Sequence, residues 1–151
     1  RAAEAHSAVE ASSPDHTVVT TVHGGGGRFA HRRIAFLSQR RFPIDMQISM
    51  QQVALAFPIV VFAHKLEDNT RKVMDISECI VHDDGELEYR TLYRYKIHSN
   101  EYVDGKFHIV GEFVQENSPS EFLRAKLMRG GIPQDLLKRF DLKTDKEGEN
   151  E

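Results

Sequence analysis

Apolar side chains recur along this chain in two periods, one helical and one of two residues. Residues 2–11 are rich in alanine and glutamate and predict a short helix, ended by Ser12, Ser13, Pro14 and Asp15. Residues 17–22, Thr-Val-Val-Thr-Thr-Val, are β-branched throughout and predict a strand, buried on both faces as in a parallel sheet. His23 ends that strand, and Gly24, Gly25, Gly26 and Gly27 form a loop. From Arg28 to about Arg40, the apolar positions Ala30, Ile34 and Leu37 fall on one helical stripe, which Pro43 breaks. Met46, Met50, Val53 and Phe57 repeat that spacing and predict another helix over residues 45–57.

After Pro58 the period shortens. Residues 59–63 and 72–82 read as strands, and Asp83-Asp84-Gly85 is a turn signal. In the return strand Leu87, Tyr89, Thr91, Tyr93, Tyr95 and Ile97 alternate with Glu88, Arg90, Leu92, Arg94 and Lys96. That alternation predicts one face on a core and one in water. Asp104-Gly105 joins this strand to residues 107–114 as a second hairpin. In Ser118-Pro119-Ser120-Glu121, Ser118 reads as a helix cap with proline at the first helical position. Phe122, Leu123 and Leu127 are expected to face inward, and residues 133–140 to form a closing helix. Residues 143–151 carry no apolar side chain and predict a disordered tail.

The length, 151 residues, allows one domain with a real core. Apolar residues at 40% and charged residues at 28% are a globular composition and exclude collagen-like or wholly disordered readings. The net charge of −3 gives no global case for nucleic acid or membrane binding. A single cysteine, Cys79, excludes an intrachain disulfide and a cysteine-based zinc site.

The candidate chemistry lies near the predicted first strand. His16 and His23 flank it. A histidine at the carboxyl end of a parallel strand points to the crevice where open α/β sheets take ligands, or it simply closes the strand. The four glycines would let backbone approach a phosphate closely, though taken alone they predict a mobile linker. Arg28, Arg32, Arg33, Arg40 and Arg41 suit a nucleic acid, a nucleotide on a neighbouring subunit, or a solvated helix face. The other histidines show no HxxxH or HExxH spacing, so no metal site is expected. No GxxxxGK[ST] motif occurs.

Taken in order, these pieces resemble the secretion ATPase superfamily, the hexameric P-loop ATPases of type II and type IV secretion and pilus assembly. Within it they are most similar to the CpaF-like branch. Arg1-Ala2-Ala3-Glu4-Ala5 is similar to the R-x-x-E-A segment that follows the family's Walker B glutamate. His16 and the Thr20-Thr21-Val22-His23 sequence are similar to its His box, and Arg28 and Arg33 to the arginines that enter the next helix. Arg71-Lys72-Val73, Ile76-Ser77-Glu78, Gly111-Glu112-Phe113, Pro119 and Gly131 resemble its C-terminal segments. The chain departs from the pattern at Pro14-Asp15, where the family has Thr-Gly, and at the four glycines, where it has Ala-Asn-Ser-Pro.

The resemblance implies an α/β fold over residues 1–142, the C-terminal portion of a RecA-like core with an antiparallel β-meander and closing helices. It implies a parent that couples ATP hydrolysis to pilus assembly or protein secretion. That parent would be a homo-oligomeric ring binding ATP and magnesium and meeting inner-membrane platform proteins at the cytoplasmic face, with no nucleic acid partner. His23, His16, Glu4 and Arg1 would be catalytic, and His23, Arg28 and Arg33 would contact nucleotide. The Walker A lysine and Walker B glutamate would lie upstream of Arg1. This chain alone is therefore expected neither to bind ATP tightly nor to hydrolyse it. The strand at residues 17–22 would then lack its neighbours, and is expected to pair with another chain, or the segment up to the four glycines to be rearranged or mobile. The alternative reading is a non-catalytic assembly module that has lost nucleotide chemistry.

Overall fold

The computed structural model describes residues 2–12 and 16–142. They form a mixed α/β structure with five helices and one antiparallel sheet of four strands. The helices α1 (Ala2–Ala11), α2 (Gly27–Gln39) and α3 (Met46–Ala56) come first. The strands β1 (Ile59–Lys65), β2 (Arg71–Val81), β3 (Leu87–Val103) and β4 (Lys106–Gln115) follow as a meander in the order β1-β2-β3-β4. The helices α4 (Glu121–Arg129) and α5 (Gln134–Leu137) close the described chain, with a 3-10 turn over Lys138–Phe140.

The three leading helices pack into one layer. Ile34, Ala35, Val53 and Phe57 form its buried centre, with Ala5, Ala8 and Val9 of α1 against them. α2 buries Ala30, His31, Ile34, Ala35 and Ser38, an arc that includes two polar residues. Both are satisfied where they sit: His6 Nδ1 lies 3.1 Å from Ser38 Oγ, and His31 bonds across to the sheet. Asp45 caps α3 by accepting from the Gln47 and Ile48 amides.

The sheet is covered on both faces near its middle. Gly27 and His31 of α2 lie against Ser77 and Tyr89 on one face. Glu78, one residue along β2, turns to the other face and meets Ser120 at the start of α4. The alternation of β3 breaks at Leu92, which its spacing puts on the wet face but which is only 5% exposed. A bulge between Ile76 and Ser77 leaves Leu92 without a β2 partner, and its carbonyl accepts from the Glu116 and Asn117 amides.

Three further expectations are corrected. Residues 17–22 form no strand: they have no ladder partner among the described residues, and Val19 is 90% exposed. Val18 and Val22 alone rest on the helical core. The cap of α4 is Ser120, not Ser118, because Ser120 Oγ accepts from the Leu123 amide while Ser118 Oγ accepts from Leu142. Phe122 is exposed, whereas Leu123 is buried as expected. The expected tail, residues 143–151, lies outside the described residues.

Candidate functional site

Residues 16–24 carry the chain from α1 to α2, with His16 and His23 both exposed. The glycines that follow are not a slack linker. Gly26 sits at φ 103, ψ 179, a conformation open essentially to glycine alone, and it is the residue that starts α2. Gly27 is already helical, and a Cβ there would touch the Tyr89 ring at 3.4 Å. The turn therefore needs glycine at Gly26 for backbone and keeps Gly27 small for contact with the sheet.

The consequence is an open helix start. The Gly26 carbonyl accepts the Ala30 amide at 2.9 Å, but no side chain caps the preceding amides of α2. Those amides, at the positive end of the helix, suit an anion. Arg28, exposed in the first turn, adds a formal charge beside them, and Arg33 lies exposed one and a half turns on. No hydrogen bond or ion pair joins His16, His23, Arg28 or Arg33 to one another. Glu4 lies exposed on α1, and Arg1 lies outside the described residues. Of the residues expected to act together, His23 and Arg28 are thus the two placed at one turn by the chain itself.

Behind this turn stands a buried polar network that sequence patterns did not single out. His31 is 1% exposed. Its Nε2 lies 2.9 Å from the Phe57 carbonyl and its Nδ1 lies 3.0 Å from the Tyr89 hydroxyl. A carbonyl only accepts, so Nε2 carries the proton and Nδ1 accepts from tyrosine. Burial pushes the imidazole below its ordinary value, against the carbonyl, which draws it up. Burial likewise raises the Tyr89 phenol and the Cys79 thiol, which are cross-strand partners. All three groups are held neutral near pH 7, so this network positions α2 on the sheet rather than moving protons.

A second buried group is Glu78, with no exposed surface. Its carboxylate accepts from the Ser120 amide at 2.9 Å and from the Ser120 hydroxyl. Ser120 thereby links the β2 carboxylate to the first turn of α4. Both networks leave a faint trace in sequence: His31 falls on the same helical arc as Ala30 and Ile34, and Glu78 interrupts an otherwise uncharged stretch from Ile76 to Val81.

Among the described residues no group of three histidine, cysteine or acidic side chains stands together to hold a metal, and no helix is long and apolar enough to cross a membrane. No protein-family model matches the chain, and no curated protein matches it.

Proposed function

We propose that the chain is the C-terminal part of a CpaF-like secretion ATPase motor domain, whose parent couples ATP hydrolysis to pilus assembly or protein secretion. The observation that carries this reading is the turn at His23. A histidine and a glycine-only conformation deliver the chain to an uncapped helix start with Arg28 beside it. That is an arrangement suited to the terminal phosphate of a nucleotide. The motif resemblance through His16, Thr20-Thr21-Val22-His23, Arg28 and Arg33 supports the same reading.

The roles follow from the chemistry. Phosphoryl transfer is mostly positioning and charge stabilisation by a P-loop, its lysine and magnesium. His23 would donate a hydrogen bond to a phosphate oxygen, and Arg28 and Arg33 would offset its charge. His16, Glu4 and Arg1 would surround that contact. Residues 17–22, rich in β-branched side chains and without a ladder partner here, would be one strand of the RecA-like sheet. Bound magnesium and ATP would belong to the assembled ring, with inner-membrane platform proteins as its partners at the cytoplasmic face.

The test has two arms. The reading frame upstream of Arg1 is expected to encode GxxxxGK[ST] and a Walker B glutamate; its absence favours a non-catalytic assembly module. Calorimetric titration of the 151-residue chain with Mg-ATP is expected to give no micromolar binding, and such binding would overturn the assignment of the missing phosphate cradle to upstream sequence.

A further inference from the structure

The exposed side of α2 has its own pattern. At about 100° per residue, Arg28, Arg32, Phe36, Phe29, Arg40 and Arg33 follow one another around an arc of about 140°. The two phenylalanines lie in the middle of that arc, with two arginines on either side. They are exposed, at 63% for Phe29 and 55% for Phe36, and the opposite arc is the buried one. Beyond the helix Phe42, Ile44 and Ile48 are exposed as well, with the Phe42 ring 4.1 Å from the His6 ring of α1. Ala3, Arg40, Arg41 and Phe42 line an open concavity of about 530 Å³. No aspartate or glutamate occurs in residues 16–44, although the chain as a whole carries a net charge of −3.

We propose that this face of α2 docks on an anionic lipid surface. A phenyl ridge flanked by guanidinium groups is the pattern of a helix lying in the plane of a membrane. Phe29 and Phe36, seven residues and about 10 Å apart on the helix axis, enter the boundary between headgroups and acyl chains. Arg32 and Arg40, one on each flank, reach headgroup phosphates with their stems along the apolar surface. Arg40 and Arg41 place one further phosphate in the concavity they line. A nucleic acid duplex fits this face less well, because its phosphates would meet two phenyl rings at the centre of contact rather than cations. The uncapped helix start proposed for nucleotide lies at one end of this surface, and the lipid contact goes beyond that reading without depending on it.

Co-sedimentation of the chain with vesicles in the absence of nucleotide tests the proposal. Binding is expected to equal mixtures of phosphatidylglycerol and phosphatidylcholine, and not to phosphatidylcholine alone. The double variant Arg32→Glu/Arg40→Glu, which leaves Arg28 and Arg33 in place, is expected to weaken binding about a hundredfold or more. Phe29→Ser/Phe36→Ser is expected to weaken it at least about tenfold. Arg71→Glu, an exposed charge at the start of β2, is expected to leave it unchanged. All of these side chains are exposed, and far-UV circular dichroism checks that each variant keeps its fold. Failure to bind the anionic vesicles, equal loss with Arg71→Glu, or full binding by the phenylalanine variant would each overturn the proposal. So would tighter binding to duplex DNA than to the vesicles at the same salt. Because no nucleotide enters the assay, none of these outcomes bears on the ATPase reading.

Discussion

Replacing His31 by leucine tests whether the buried network holds α2 to the sheet. The substitution removes the acceptor for the Tyr89 hydroxyl and the donor for the Phe57 carbonyl in one step. The buried Phe57 carbonyl and the half-buried Tyr89 hydroxyl each cost about 1–3 kcal/mol at most when orphaned, and added apolar contact offsets part of the sum. A net loss of about 2–4 kcal/mol is therefore expected at pH 8, where the native imidazole is neutral. The pH dependence carries the sharper signature. The folded-state value of His31 lies below the ordinary 6.5, so the unfolded chain takes up the proton first as pH falls. Native stability from this group is complete above about 6.5 and declines below it, by at most about 1.4 kcal/mol per pH unit. His31→Leu has no such proton to take up, so the stability gap between the two proteins narrows on acidification. Urea unfolding followed by circular dichroism at pH 8 and pH 5 measures both effects. A gap that stays constant or widens at pH 5 would refute the neutral, buried assignment, and no loss at pH 8 would refute the network itself.

Other substitutions probe separate joints of the fold. Glu78→Gln turns an acceptor-only carboxylate into a group with an amide facing the Ser120 donors. It is expected to cost about 2–3 kcal/mol and to speed hydrogen exchange at the Leu123 amide. Ser120→Ala is expected to cost a similar amount, and the double variant less than the sum, as a thermal melt series would record. Gly26→Ala forces a Cβ onto φ 103 and is expected to cost about 1–3 kcal/mol in the same melts, with the start of α2 losing protection first. Gly111→Ala drives a Cβ into the Lys96 carbonyl across the β3–β4 pair, and is expected to lower the melting temperature by several degrees.

Local chemistry made most of the elements readable. Asp83-Asp84-Gly85 and Asp104-Gly105 placed two of the three hairpin turns, with Gly85 and Gly105 at positive φ, and Asp45 marked the start of α3. What escaped the sequence depended on partners distant in the chain. Residues 17–22 have the composition of a strand, but a strand also needs a neighbour to bond, and none pairs with them among the described residues. Leu92 looked solvent-facing because a strict period of two does not foresee the bulge opposite it between Ile76 and Ser77. Ser118 and Ser120 bracket Pro119, and the choice between them as cap is made by Glu78, 42 residues from Ser120. At the candidate site, the His31–Tyr89 contact spans 58 residues, and no local pattern in the sequence marks it.

The central claim, that His23 belongs to the phosphate-sensing side of a secretion ATPase, is tested most directly by steady-state Mg-ATP hydrolysis. The protein encoded by this sequence together with its upstream reading frame is compared with its His23→Ala variant. The account predicts measurable turnover by the native protein and a fall in kcat of about a hundredfold on removing the imidazole, with KM for ATP little changed. Turnover that is absent from the native protein, or equal in the two proteins, would contradict it.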